Sequence, residues 1–215
     1  MGCEDDQPLC GERPSRREAR REERRESILE VATRYFLDHG YAGTTMSGIA
    51  ASLGGSKGTL WAYYASKELL FGDVLDRATR DFREQLSLAL SRDEPIESAL
   101  QQVCSKFVAR LTNRDGIALH RLVVGEAGRF PEVGRIFYER VLERVHAMLS
   151  RFIGRAMSQG DLREDDPAEA ANVLVALCMA GVHQKLLVGL IDTVSLAQAE
   201  HLAASAVEKF LRAYR

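Results

Sequence analysis

The sequence predicts an all-α chain. Apolar residues recur at intervals of three and four, the helical period, and no series of alternating strands with hairpin turns interrupts them. The five prolines, at positions 8, 14, 95, 131 and 167, each stand at a change of pattern. A length of 215 residues suits one medium domain or a small domain fused to a larger one. With 46% hydrophobic and 28% charged residues, the composition excludes a disordered, collagen-like or disulfide-scaffold protein. No apolar run approaches the roughly 20 residues a membrane-spanning helix needs. The acidic opening Met1-Gly-Cys-Glu-Asp-Asp is unlike a secretory signal, so a cytoplasmic location with no membrane partner is expected.

Lys+Arg 29 against Asp+Glu 31 gives a net charge of −2, so a polyanion partner would require locally concentrated cations. No Cys/His set has zinc spacing, and no cofactor or metal is expected. Cys104 and Cys178 fall in apolar helical patterns, while Cys3 and Cys10 belong to a polar leader, residues 1–14, expected to be disordered.

The first helix is expected from Ser15 to His39, with the stripe Ile28, Ala32, Tyr35, Phe36 and His39, and Gly40 just past its end. Upstream of that stripe, Arg13, Arg16, Arg17, Arg20, Arg21, Arg24 and Arg25 are interleaved with Glu18, Glu22, Glu23 and Glu26. That run reads either as a solvated face of i,i+4 charge pairs or as a basic arm for DNA phosphates. Thr45 then caps a short helix with Met46, Ile49, Ala50 and Leu53 on one side. Gly54-Gly55 allows a tight reversal, and Ser56 caps a second short helix that turns Leu60 and Tyr64 inward. Two short helices around a glycine turn form a helix-turn-helix layout. The other reading is a helical hairpin whose aromatics are simply core.

The outward face of the second helix carries the function. Lys57 can neutralise a phosphate or reach guanine, and Thr59 can meet a phosphate or a thymine methyl. Trp61 and Tyr63 can donate to phosphates, Ala62 lies beside them, and Gly58 admits close backbone approach. Lys67, at a helix start capped by Ser66, can grip a further phosphate. The candidate DNA contacts are therefore Thr45, Ser56, Lys57, Gly58, Thr59, Trp61, Ala62, Tyr63 and Lys67.

The run Ile28-Leu-Glu-Val-Ala, Phe36, His39-Gly-Tyr, Thr44-Thr, Ile49-Ala, Gly54, Ser56-Lys-Gly-Thr-Leu-Trp and Tyr63-Tyr-Ala-Ser-Lys-Glu-Leu-Leu resembles the DNA-binding domain of the TetR/AcrR family of bacterial transcriptional regulators. The resemblance covers about residues 24–75 and implies that Ser56 to Tyr64 is the recognition helix. Gly48 replaces a frequent acidic residue, leaving the capping box begun by Thr45 incomplete. Gly55 replaces an apolar turn residue, and Ala62 a larger polar one.

Beyond residue 65, a fourth helix should start at Ser66 and turn Leu70, Val74, Ala78 and Phe82 inward. Further helices are expected from Pro95 to Leu111, Gly116 to Ala127 and Pro131 to Gln159. Asp166-Pro-Ala-Glu and Ser195-Leu-Ala-Gln open the last two, giving about nine in all. Domains are expected at 15–65 for DNA binding and 66–215 for ligand binding and dimerisation. The last helices, near 167–190 and 196–214, are rich in small apolar residues on more than one face. They read either as internal core or, as the resemblance implies, as a four-helix homodimer interface.

The stretch Leu122-Val-Val-Gly-Glu-Ala-Gly-Arg-Phe-Pro with Phe137-Tyr resembles the C-terminal half of AefR-type members. The family resemblance implies a cavity for a small-molecule effector. Its candidate lining is Phe107, Leu111, His120, Val123, Phe137, Tyr138, His146, Cys178, Met179 and His183, although core packing is the better reading of each taken singly. An enzyme lacks support: no nucleophile elbow or paired carboxylate site occurs, and Gly54-Gly55-Ser-Lys-Gly-Thr lacks phosphate-loop spacing. The expected function is a sequence-specific repressor that binds double-stranded operator DNA as a homodimer until an effector releases it. The rival is a helical adaptor that binds only protein.

Overall fold

A computed structural model describes residues 15–54, 57–91 and 94–215. The leader with Cys3 and Cys10, the residues Gly55 and Ser56, and the side chain of Lys57 lie outside the described residues. Among the described residues the chain forms ten helices and no strand, counting residues 131–159 as one rod.

Helix α1 (Arg16–Gly43) opens with a reciprocal capping box. Ser15 N–H donates to Glu18 Oε2 at 2.8 Å, and Glu18 N–H donates to Ser15 Oγ at 3.3 Å. The helical path breaks at Gly40, whose φ of 71° turns the chain so that Tyr41 becomes buried. His39 is exposed rather than inward, because its ring stacks on Tyr35 with centroids 4.0 Å apart.

Helices α2 (Met46–Ser52) and α3 (Lys57–Tyr63) follow, then α4 (Lys67–Ser91), α5 (Ile96–Thr112) and α6 (Arg114–Glu126). Asn113 ends α5 and starts α6, its Oδ1 accepting from the amides of Asp115 and Gly116 at 2.9 and 3.2 Å. Helix α7 (residues 131–159) joins Pro131–Phe137 to Glu143–Gln159 through a π-helical turn, Tyr138–Leu142. Helix α8 (Pro167–Met179) is capped by Asp166, and α10 (Leu196–Tyr214) by the Ser195/Gln198 box. Between them, Gly181 at φ 78° separates a short α9 (Val182–Leu187). By sequence, the stretch near 167–190 reads as one helix. The positive φ divides it, giving ten helices instead of about nine.

Two apolar cores result. The first gathers Ile28, Leu29, Phe36, Ile49, Leu60 and Tyr64 with Leu70, Phe71, Val74 and Leu75 of α4. Leu119, Val123, Val133 and Ile136 from α6 and α7 complete it, so this packing does not part at residue 65. Phe71 meets Phe36 and Tyr41 edge-on at 5.0 and 5.3 Å, geometries that add to simple burial. The second core joins the distal part of α4 with α5, α7, α8 and α10. Helix α4 is common to both.

Candidate nucleic-acid interface and effector cavity

The α2–α3 pair is built by local rules. Thr45 Oγ1 accepts from Gly48 N–H at 3.0 Å, capping α2 as its sequence suggests. Gly48 has its own reason: a Cβ there would lie 2.2 Å from the Tyr35 hydroxyl. Thus α1 and α2 approach through the space that the missing side chain leaves. The reversal contains Gly54 at φ 63°, a conformation open to glycine without strain.

Leu60 and Tyr64 are buried, while Gly58 and Ala62 face outward and Trp61 keeps 49% of its surface exposed. Thr59 and Tyr63 are half-buried at the edge. The Tyr63 hydroxyl donates to the Arg21 carbonyl at 3.5 Å, and the Arg21 guanidinium lies 6.0 Å from the Tyr63 ring. The arginine-rich start of α1 therefore runs beside α3. Among the described residues, no ion pair closes on Arg16, Arg17, Arg20, Arg21 or Arg24, whereas Arg25 meets Glu22 at 3.2 Å. Lys67 is engaged inward: Nζ donates to the Tyr41 carbonyl at 2.8 Å and sits 4.0 Å from the Tyr41 ring centre. Ser66 caps α4, its Oγ accepting from Leu69 N–H at 3.3 Å.

A cavity of about 580 Å³ opens among α4 to α9. Of the candidate lining residues, Phe107, Leu111, His120, Phe137, Tyr138, His146, Met179 and His183 border it. Val123 and Cys178 do not. Val123 belongs to the first core, and Cys178 to the second beside Cys104, whose thiol is pushed far up by hydrogen bonding to Cys178 and by burial. Period alone marks the apolar side of a helix but cannot say which part of that side meets space. Arg110, Gly116 and Asn172 also line the cavity.

Residues 28–74 match the bacterial regulatory proteins of the tetR family. Residues 98–215, more than half the chain, match the AefR-like transcriptional repressor C-terminal domain. The chain belongs to the TetR family. A repressor from Corynebacterium glutamicum, AcnR, is 27% identical over 188 residues, covering 86% of this chain and 92% of its own. The solved structure of the flavonoid-responsive regulator FrrA is 28% identical, with a TM-score of 0.74, covering 90% of this chain and 98% of that one. A TetR-family regulator from Pseudomonas syringae is 26% identical with a TM-score of 0.71, covering 89% and 97%. This TetR-family chain is a DNA-binding transcriptional regulator of repressor type, in a family that dimerises and leaves its operator on binding an effector.

In this TetR-family chain an ionic cluster, absent from the sequence reading, lies between cavity and helix-turn-helix. Tyr138, Val141 and Leu142 of the π turn line the cavity. From the same turn, Arg140 donates to Asp76 and stands 3.6 Å from Asp73 on α4. Asp73 also accepts from Arg25 of α1 at 2.7 Å and from the Tyr64 hydroxyl, next after α3, at 3.1 Å. Burial, reinforced by Asp73, pushes the Tyr64 phenol up to about 12. Arg25 holds its proton more firmly because it is hydrogen-bonded to Asp73. Asp76 further binds Arg83 at 3.2 Å and Arg144 at 2.9 Å. Charge pairs between distant helices leave no fixed spacing to read. A polar residue every third or fourth place on α4 was their only signal.

Proposed function

We propose that the exposed face of α3 reads operator DNA in the major groove. Gly58, Thr59, Trp61, Ala62 and Tyr63, with Ser56 and Lys57, supply its contacts. Thr45 and the unpaired arginines of α1 hold flanking phosphates, and Lys67 reaches one only by releasing the Tyr41 carbonyl. The observation that carries this reading is a tryptophan half open to solvent directly beside the buried anchor Leu60. Gly58 and Ala62 face solvent beside it, and the arginine-rich start of α1 runs along the same helix. DNA binding is expected to occur in the cytoplasm, within a domain near 15–65; residues 66–215 sense and dimerise.

One short helix reads few base pairs, so two copies about one duplex turn, roughly 34 Å, apart are required. Helices α8 and α10 meet their twofold mates through Ala176, Ala204 and the 77% exposed Leu196, with Ala180 just past the end of α8. A ligand in the cavity displaces the π turn, and Arg140 passes the shift through Asp73 to Tyr64 and Arg25. DNA release then requires only that the ligand prefer the displaced form.

Trp61 is the sole tryptophan, so fluorescence titration with duplex selected from random DNA reports on α3 itself. Salt-sensitive binding with a sequence-specific excess, lost in Trp61→Ala, is expected. A protein adaptor would leave the signal unchanged at every salt concentration.

A further inference from the structure

Arg110, from the last turn of α5, is the cation lining an otherwise largely apolar chamber. Its guanidinium lies over the first turn of α6, where a Cβ on Gly116 would come within 2.5 Å of Nη1. Glycine at that place is what leaves room for the group. Among the described residues, no hydrogen bond or ion pair closes on it. Asp115 acts on it only through space and is exposed, where water screens its charge. The amino end of α6, a 13-residue helix, adds further positive potential beside it. Burial lowers the guanidinium pKa, the signature of a charge that lacks a partner.

The other polar groups of the chamber are hydrogen-bonded or exposed, save one ring nitrogen of His120. His183 Nδ1 faces the Leu111 carbonyl at 3.0 Å, so it carries the proton and Nε2 accepts. His120 Nδ1, 3.2 Å from that Nε2, is then the donor, which leaves His120 Nε2 as an acceptor. Burial, then His183, keeps His120 below its usual range and therefore neutral near pH 7. His146 Nε2 meets the Ala168 carbonyl at 3.0 Å, and Glu143 and Tyr138 are exposed.

We propose that this cavity selects an amphiphilic organic anion: a carboxylate held by Arg110, carried on an apolar body packed against Phe82, Phe107, Phe137 and Met179. The proposal rests on the cavity being the effector site. A carboxylate can take two parallel N–H bonds from one guanidinium, a match that neutral ligands lack.

The test uses the full chain with dodecanoate and biphenyl-4-carboxylate beside their primary amides, measured by calorimetry. At least one acid should bind about tenfold or more tightly than its amide, as expected for a hydrogen bond to a charged group. Arg110→Gln should erase that preference without weakening the amide, and Arg110→Lys should restore part of it. Circular dichroism establishes that each variant is folded. Equal affinity of acid and amide, an undiminished preference in Arg110→Gln, or no binding of either acid at millimolar concentration overturns the proposal. Operator release is read separately by Trp61 fluorescence. An acid that binds through Arg110 yet leaves DNA bound upholds the anion site and defeats the effector reading. Release of DNA by acid and amide alike does the reverse.

Discussion

Replacing Asp73 with Ala removes one carboxylate that ties α1, α4 and the residue after α3 together. The loss can be sized from its contacts. Arg25 and Asp73 retain 36% and 22% of their side-chain surface, so solvent screening leaves that pair about 1 kcal/mol. Tyr64 is 4% exposed, and its hydroxyl, deprived of its acceptor, forfeits about 1–3 kcal/mol. A total destabilisation of about 2–4 kcal/mol is expected, within the range of a broken buried network. Urea unfolding at one fixed protein concentration measures it, because dimerisation makes stability concentration-dependent. The decisive control is Tyr64→Phe. On the wild-type background it should cost about 1 kcal/mol; on Asp73→Ala it should cost nothing or stabilise, since the orphaned hydroxyl is gone. Strict additivity of the two changes would refute the proposed tie.

Arg140→Gln should cost only about 1 kcal/mol, because Asp76 keeps Arg83 and Arg144, yet should reduce ligand-driven operator release by about 5-fold or more; paired DNA titrations with and without ligand measure that ratio. Gly116→Ala should destabilise by about 1–3 kcal/mol, despite alanine's better helix propensity, because its Cβ would meet the Arg110 backbone oxygen at 2.6 Å. A rise in melting temperature would contradict that contact. On acidification the unfolded chain protonates His120 near 6.5 while the folded chain resists, so stability falls as pH drops below that value. His120→Gln should flatten this part of the pH profile in thermal melts between pH 7.5 and 5.5.

Features set by local chemistry were legible in the chain. Thr45, Ser66, Asp166 and Ser195 each cap the helix that their position suggested. Gly54 makes the reversal, and Leu60 and Tyr64 turn inward while Trp61 stays out. Features decided by distant partners were not. His39 leaves the apolar stripe to stack on Tyr35, and a Cβ on Gly48 would crowd the Tyr35 hydroxyl. Arg110 stands in a last helical turn with no spacing to mark it, and only the fold places it in the cavity. The π turn lies inside an unbroken helical pattern, since Tyr138-Glu-Arg-Val-Leu contains neither glycine nor proline.

That wide turn has a consequence for how the chain tolerates change in length. A π turn spans one more residue per hydrogen-bonded loop than an α turn, like a single insertion absorbed without shifting its neighbours. Val133 and Ile136 before it, and Val145 and Leu149 after it, each remain seated in their own core. Removing one residue between 138 and 142 would thus leave a rod that still fits at both ends. The surplus residue is then expected to be dispensable for assembly, and under the proposed mechanism its contribution is slack, a place along the rod where a guest beneath it would make the rod yield.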